Sequence, residues 1–167
     1  MLTVSREPLL TRRLELRRTR SEDAPAMFEA LSDPAMYEFI PRSAPATAAD
    51  VELRFLRVMH ETAPDRLEQW LNWTVWLRDG GAGIGTIEAT VRPGHRVEIG
   101  YLFNPRIWRR GYACEAVAAM LDHLQDRGAA SFEASIDIRN MASKALARSL
   151  GFKHIETRGL DEEWRRA

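Results

Sequence analysis

A change of hydrophobic period along the chain constrains the fold more than any other feature. In three consecutive segments, 71–77, 84–91 and 97–103, apolar residues alternate with polar or small ones. A period of two is typical of β-strands. Asp79-Gly80-Gly81 separates the first two segments and Pro93-Gly94 the next two, and such sequences form tight turns. The pattern therefore predicts a meander of three antiparallel strands.

Behind this meander, helical and strand patterns alternate. One apolar helix face is predicted from residues at positions i, i+3, i+4 and i+7, namely Val117, Met120, Leu121 and Leu124. Residues 132–138 predict a strand, and Asn140 is expected to cap another helix that Gly151 ends. The expected buried face of that last helix is Ala142, Ala145 and Leu146. A strand–helix–strand unit after a meander implies at least one parallel pair in a mixed sheet.

The chain before the meander supplies a further strand and two helices. Residues 13–17 alternate strictly and predict a short, half-buried strand. Ser21 is expected to cap a helix that ends at residues 33–34, and a second helix is expected over 48–61. No linker divides the sequence, so we expect one domain over 1–167. Its predicted class is α/β, with a mixed, mostly antiparallel twisted sheet flanked by helices.

Composition excludes several classes of function. The 24 Lys and Arg residues balance 24 Asp and Glu residues, so no basic excess indicates a nucleic-acid partner. No apolar run approaches the length of a membrane span, which requires about 20 residues. The single cysteine favours a reducing, cytoplasmic location. The four histidines are scattered without ligand spacing, so no metal is expected.

Residues 104–116 carry the chemistry that the sequence makes most specific. They lie between a predicted strand and a predicted helix, where amides at a helix N-terminus lack partners within the helix. Small residues at 111 and 113 would let an anion approach these amides, and Arg109 and Arg110 add positive charge. A tight turn with exposed arginines before an ordinary helix is the alternative interpretation.

The segment Trp-Arg-Arg-Gly-Tyr-Ala-Cys-Glu-Ala at 108–116 resembles the acetyl-CoA pyrophosphate loop of the GNAT N-acetyltransferase superfamily. It is most similar to the branch containing bacterial ribosomal-protein N-terminal (alanine/serine) acetyltransferases, in which Trp108 is common where other members have Gln or Arg. Further similarities occur in the expected order at 11–17, 32–34, 97–101, 140–143 and 150–152. The resemblance covers about residues 11–158 and implies a GNAT-like fold.

The resemblance implies an acetyl-CoA-dependent N-acetyltransferase. Its acceptor would be a primary amine, either a protein N-terminal α-amine or a small-molecule amine, which attacks directly in a ternary complex. Cys114 would therefore lie beside the pyrophosphate without acting as a nucleophile. The residues expected to bind acetyl-CoA are Tyr101, Leu102, Phe103, Arg109, Arg110, Gly111, Tyr112, Ala113, Cys114, Asn140 and Ser143.

The resemblance also suggests catalytic side chains, each with a structural alternative. Glu98 is the candidate base, acting directly or through water, or else a hydrogen-bonded carboxylate without a catalytic role. Ser143 would protonate the leaving sulfur or bond the backbone, and Asn140 would hold the pantetheine arm or cap its helix. Candidate acceptor contacts, which core packing would equally explain, are Tyr37, Phe39 and Trp76.

The C-terminus departs from the family pattern. Residues 159–167 are charged and unlike a strand, so we expect an abbreviated C-terminal strand and an open sheet edge. A second subunit would cover that edge in a homodimer, or its charges would prevent pairing. An incomplete acceptor site would also fit a different function, that of a non-catalytic acyl-CoA-binding or sensing module.

Overall fold

The computed structural model describes residues 1–63 and 67–167. Its strands are β1 Leu9–Leu10, β2 Leu14–Arg18, β3 Gln69–Leu77, β4 Gly83–Arg92, β5 Arg96–Phe103, β6 Ser131–Asp137, β7 Lys153–Arg158 and β8 Asp161–Arg166. Its α-helices are α1 Ala24–Leu31, α2 Ala48–Val58, α3 Tyr112–Gln125 and α4 Met141–Ser149. Short 3-10 turns cover Ser21–Asp23, Pro34–Tyr37 and Pro105–Ile107.

All eight strands form one sheet in the order β1-β2-β3-β4-β5-β6-β8-β7. The β5–β6 pair is parallel, and the other pairs are antiparallel. The predicted meander and the parallel pair behind it are therefore confirmed, as is the α/β class with a mostly antiparallel sheet. The parallel pair requires the long crossover that α3 supplies.

Successive strand residues point to opposite faces of the sheet, and each face has its own core. Trp73 and Phe132 belong to the core that includes the buried side of α3, whereas Trp76 and Leu102 pack with residues of α1 and α2. The register between β3 and β4 shifts between Val75 and Trp76. Trp73, before the shift, lies in one core, and Trp76, after it, lies in the other.

Two helix boundaries differ from the prediction. Ser21 does not cap α1, because residues 21–23 form a 3-10 turn and no side chain caps the helix at Asp23. The second helix ends at Val58, three residues before the expected end. Its start is fixed by a capping box, in which Thr47 accepts from the amide of Asp50 and the Asp50 carboxylate accepts from the amide of Thr47.

The expectation of an abbreviated C-terminal strand is wrong. Asp161–Arg166 form β8, which lies between β6 and β7 and pairs with both. Trp164 is only 3% exposed and joins the core on the α3 side of the sheet. The charged residues around it have partners elsewhere in the fold: Glu162 pairs with Lys144 of α4 at 3.1 Å, and Arg165 pairs with Glu133 of β6 at 3.1 Å.

The free edge beyond β8 is β7, whose six residues are all exposed. Lys153, Glu156 and Arg158 place charges along it, and its register with β8 shifts between His154 and Glu156. Charges and irregular register discourage pairing with another chain. The premise for a covering subunit, an edge left open by a missing strand, is therefore absent.

Candidate functional site

β5 and β6 separate at their C-terminal ends. Their parallel register runs from Arg96 opposite Ser131 to Glu98 opposite Glu133 and ends there. Beyond this point, residues 100–103 of β5 have strand partners on the β4 side but not on the β6 side, among the residues that the structure describes. Peptide groups on that side are therefore available to a ligand.

A cleft of about 1000 Å³ opens where the two strands separate. Both crossover helices begin at this end of the sheet, since α3 follows β5 and α4 follows β6. The carboxyl ends of adjacent parallel strands are the usual position of a ligand site in sheets of this kind. Of the residues expected to bind acetyl-CoA, those that line the cleft are Tyr101, Leu102, Phe103, Arg109, Gly111, Tyr112, Ala113, Cys114, Asn140 and Ser143.

The loop before α3 has two residues in the left-handed region. Gly111 has φ 77° and is the N-cap of α3, and Arg109 has φ 61°. Consecutive amides in such a turn form a concave site for anions. The amides of Tyr112, Ala113 and Cys114 lie in the first turn of α3, where an α-helix provides no carbonyl four residues back. The turn and the positive end of the helix dipole together favour a phosphate.

Arg13, on the chain entering β2, supports this loop from behind. Its Nη1 donates to the Arg110 carbonyl at 2.9 Å, and its guanidinium lies 4.2 Å from the centre of the Tyr112 ring. Its Nε donates at 2.6 Å to Glu115, which also accepts from the Arg13 amide at 2.8 Å and the Thr11 hydroxyl at 2.6 Å. Partial burial alone would raise the pKa of Glu115, but these hydrogen bonds lower it below its ordinary value.

This support of the loop predicts the effect of removing it. Arg13→Met keeps the length of the side chain but removes the donor to the Arg110 carbonyl and the ion-pair partner of Glu115, which keeps its hydrogen bonds from the Arg13 amide and the Thr11 hydroxyl. We expect acetyl-CoA affinity to fall about tenfold and the protein to lose about 1–3 kcal/mol of unfolding free energy, because a half-buried carboxylate loses its partner. Calorimetry and urea unfolding measure the two effects. Arg12→Met, next to it in sequence, is the control, and equal behaviour of the two variants would contradict this role of Arg13.

The other end of the loop is fixed to α1 and β5. Asn104 donates to the Ala30 carbonyl at 3.2 Å, at the end of α1, and accepts from the amide of Arg106 at 2.9 Å. The indole of Trp108 donates to the Phe103 carbonyl at 2.7 Å. Trp108, at the position where other members of the superfamily have Gln or Arg, is thereby held to the end of β5 by a neutral donor.

The prediction that Ala142, Ala145 and Leu146 form the buried face of α4 is wrong, because this face borders the cleft. Ala142 and Ala145 are exposed and line the cleft together with Leu146, whereas the buried residues of α4 are Lys144 and Ala147. Lys144 is buried because its ammonium donates to the Ile138 carbonyl at 2.8 Å and pairs with β8. An apolar helix face that borders an open cleft is suited to the uncharged chain of a ligand.

The N-terminus of α4 meets β5 in the cleft. The side chain of Asn140 accepts from the amide of Ser143 at 3.0 Å, so Asn140 caps the helix. The Tyr101 hydroxyl donates to the Ser143 carbonyl at 3.5 Å, and burial raises the pKa of Tyr101. A phenol with a raised pKa keeps its proton near neutral pH.

Asp137, at the end of β6, lines the cleft and is ion-paired with Arg139. The guanidinium donates to both carboxylate oxygens, at 2.9 and 2.6 Å, and the Arg139 amide donates at 2.8 Å. These hydrogen bonds, first from the side chain and then from the backbone, lower the pKa of Asp137 to about 2. The guanidinium of Arg139 lies 5.6 Å from the centre of the Phe39 ring, which also lines the cleft.

The lowered pKa of Asp137 predicts an acid-dependent loss of stability. Because the folded pKa is about 2 and the ordinary value is 3.8, the stabilisation is fully present above pH 3.8 and disappears as the pH falls to about 2. Urea midpoints of the wild type and Asp137→Asn should therefore differ near pH 6 and converge near pH 2. A difference that is independent of pH would contradict this assignment.

Two glutamates lie on the sheet face that enters the cleft. Glu98 is half-buried and ion-paired with Arg92, which also contacts Glu68 at 3.2 Å. It occupies the last paired position before β5 and β6 separate. Glu88 of β4 also lines the cleft, opposite Gly100. Glu88 could not be selected from the sequence, because only the strand register places it beside the separated part of β5.

The three candidate acceptor contacts are not brought together. Phe39 lines the cleft, but Tyr37 and Trp76 do not. Tyr37 is 7% exposed and donates to the Leu31 carbonyl at 2.7 Å, and Trp76 is 6% exposed and donates to Thr74 at 2.8 Å. Both pack in the core beneath α1 and α2, and Tyr37 also lines a smaller pocket beside α2. Arg110 is exposed and lies outside the cleft lining, although its carbonyl is held by Arg13.

Within residues 1–63 and 67–167, no three His, Cys, Asp or Glu side chains converge as metal ligands would. No helix in the same ranges is both long enough and apolar enough to span a bilayer.

Solved structures of acetyltransferases share this fold. The chain is similar to an acetyltransferase (GNAT family) from Bacillus anthracis, with a TM-score of 0.80, 21% identity and coverage of 95% and 97% of the two chains. It is also similar to RimL, a ribosomal L7/L12 alpha-N-protein acetyltransferase in complex with coenzyme A, with a TM-score of 0.82, 17% identity and coverage of 96% and 97%. At these identities, the likeness establishes a shared fold.

The sequence defines the family. Residues 13–153 match the acetyltransferase (GNAT) domain, so the chain belongs to the GNAT acetyltransferase family. Its relatives include a protein named uncharacterized N-acetyltransferase YoaA of Bacillus subtilis, 27% identical over 87% of this chain and 83% of the relative. Another is named uncharacterized N-acetyltransferase p20, of Bacillus licheniformis, 27% identical over 88% and 83%. The resemblance stated from the sequence is thus confirmed.

Proposed function

We propose that this protein transfers the acetyl group of acetyl-CoA to a primary amine by direct attack in a ternary complex. The observation that carries the proposal is the cleft, in which a turn with free amides and a helix N-terminus adjoin the separated ends of β5 and β6. GNAT membership supports acetyl transfer. The RimL complex with coenzyme A supports the choice of co-substrate.

The residues of the cleft fit the parts of acetyl-CoA. The positive φ of Gly111 disfavours any other residue at this turn. The amides after Gly111 would hold the pyrophosphate. The apolar side of α4 would accompany the pantetheine arm, with the Asn140 amide group close to the arm's own amides.

The β6-facing edge of β5 would orient the thioester. An amide of residues 101–103 donating to the thioester carbonyl would stabilise the negative charge that develops as the amine attacks. Holding the two substrates together in the cleft supplies much of the remaining rate. Breakdown of the tetrahedral intermediate cleaves the carbon–sulfur bond, and Ser143 or Tyr101 would provide a proton to the departing thiolate.

We propose an α-amine as the preferred acceptor. An α-amine titrates near 7.7–8.0 and lysine near 10.4 in model compounds, so far more of an α-amine is neutral at pH 7. The name of the RimL protein describes it as an α-N-protein acetyltransferase, which agrees with this acceptor class. The argument for a non-catalytic module depended on a missing terminal strand, and β8 removes that argument.

Acceptor-dependent release of coenzyme A thiol tests this function. The purified protein is given acetyl-CoA with a panel of peptides that have free N-termini, peptides blocked at the N-terminus but carrying lysine, and small primary amines. We expect release with at least one primary amine and fastest release with free N-termini. Binding of acetyl-CoA without release for any amine would favour the acyl-CoA-binding module.

A further inference from the structure

A second, smaller pocket of about 50 Å³ joins the cleft from the side of α2. It lies between that helix and the sheet, with Phe55 and Val58 on one wall and Asn72 on the other. Four residues line both cavities: Thr86, Glu88 and Leu102 on the sheet, and Arg42 on the segment before α2. An acceptor that occupies this pocket would therefore reach the donor cleft at those residues.

Glu88 is the only acidic residue among those that line both cavities, counting residues 1–63 and 67–167. It is exposed, and no hydrogen bond or ion pair engages its carboxylate in that part of the chain. Its side chain lies over Gly100: a Cβ at that position would be 2.6 Å from the Glu88 Oε1. The absent side chain of Gly100 therefore lets a free carboxylate lie against the separated part of β5.

Glu98 differs from Glu88 in having an ion-pair partner and in its position along the sheet. Its carboxylate is engaged by Arg92, and it precedes the separation of β5 and β6. In the β4–β5 register, Glu98 is opposite Thr90, whereas Glu88 is opposite Gly100. Two strand positions correspond to roughly 7 Å, so Glu88 lies nearer to the edge proposed to hold the thioester.

We infer that Glu88 is the residue that binds the acceptor ammonium and removes its proton, and that the α2-side pocket holds the part of the acceptor next to the amine. This inference rests on the proposed function and names the acceptor as a cationic primary amine. Arg42 and Arg54 also line the pocket, and Arg54 is held by the Ser43 carbonyl at 2.7 Å. Glu88 is the acidic residue in the described lining of this pocket, so it is the group there that attracts a cation.

The proton and electron balance of the step is complete. The ammonium gives one proton to the Glu88 carboxylate, and the neutral nitrogen then forms a bond to the thioester carbon. The carbon–sulfur bond then breaks and its electron pair passes to sulfur, which takes a proton from Ser143 or Tyr101. The second proton leaves the positively charged nitrogen of the tetrahedral intermediate as the amide forms, and it restores that hydroxyl, so the products are the amide and coenzyme A thiol. The proton on Glu88 returns to water, which restores the carboxylate.

The test compares Glu88→Gln with Glu98→Gln, using acetyl-CoA and the best amine of the panel. For Glu88→Gln we expect kcat/KM for the amine to fall about 100-fold, the lower end for loss of a general base. For Glu98→Gln we expect a smaller fall, below about tenfold, because its carboxylate is committed to Arg92. Acetyl-CoA affinity by calorimetry should be unchanged in Glu88→Gln.

Two further variants separate a missing carboxylate from a disturbed strand. Glu88→Asp should recover part of the lost kcat/KM, since it restores a carboxylate. Gly100→Ala should reproduce the defect toward the amine, since the new Cβ displaces the Glu88 side chain. Glu52→Gln, on the exposed side of α2, is the control for the charge change and should match the wild type.

The outcomes separate a failure of this inference from a failure of the proposed function on which it rests. If the wild type releases no thiol with any amine, the proposed function fails. If the wild type is active and Glu88→Gln stays within about twofold of it, the function stands and Glu88 is not the base. A fall in Glu98→Gln larger than in Glu88→Gln would likewise overturn the inference and return the role to Glu98.

Discussion

Gly111→Glu is expected to weaken acetyl-CoA binding about 10³-fold. The new carboxylate would extend into the turn that is proposed to hold the pyrophosphate. Two like charges about 4 Å apart at an effective dielectric constant near 20 repel by about 4 kcal/mol, which corresponds to about three powers of ten in affinity. Because Gly111 has a positive φ, the new side chain also strains the backbone, and we expect the free energy of unfolding to fall by about 1–2 kcal/mol. Calorimetric titration with acetyl-CoA measures the affinity.

Gly94→Glu provides a matched control. Gly94 has the same φ of 77°, but it lies in the turn between β4 and β5, and nothing is within 4 Å of a Cβ there. The control therefore carries the same charge and the same backbone strain without a phosphate nearby. Comparable affinity in the folded Gly111→Glu and Gly94→Glu variants would mean that the turn before α3 does not bind the pyrophosphate.

Trp164→Ala is expected to lower the free energy of unfolding by about 3–5 kcal/mol, the usual cost of removing a large buried aromatic side chain. Trp164 is 3% exposed, and its ring lies 5.6 Å from His154 of β7. The Arg148 guanidinium of α4 is 5.0 Å from the ring, and the indole nitrogen donates to Glu162 at 3.1 Å. The side chain thus joins β8 to its neighbours, and urea unfolding measures its contribution.

Leu160→Ala, in the turn between β7 and β8, is the control variant. Leu160 is 60% exposed, so its truncation should change the unfolding free energy by no more than about 0.5 kcal/mol. Equal, small effects of Trp164→Ala and Leu160→Ala would indicate that β8 is frayed in solution and that the sheet ends at β6, since β7 pairs with the sheet only through β8.

The elements of the fold could be predicted where local pattern determines structure. The meander follows from a period of two interrupted by glycine turns, and α3 follows from its apolar face. β8 could not be predicted in this way. Its charges are accommodated by Lys144 of α4 and Glu133 of β6, which are distant in sequence. The local charge pattern therefore predicted no full strand at Asp161–Arg166, although Trp164 lies in the core.

The parts of the site that are formed by residues close together in the sequence could be predicted. The turn at Gly111 and the cap at Asn140 are each encoded within a few residues, and the structure brings both to one cleft. The contributions of Arg13 and Glu88 depend on which strands are neighbours, so they required the sheet register. The prediction for α4 failed because apolar residues beside a ligand cleft have the same periodicity as residues in a core.

A crystal structure with bound acetyl-CoA tests the account most directly. We expect the pyrophosphate against the amides of residues 111–114 and the pantetheine arm between β5 and β6 along α4. The thioester should lie beside residues 100–103, with the Glu88 carboxylate facing it from β4. Acetyl-CoA bound outside this cleft, or with its pyrophosphate away from the turn at Gly111, would contradict the account.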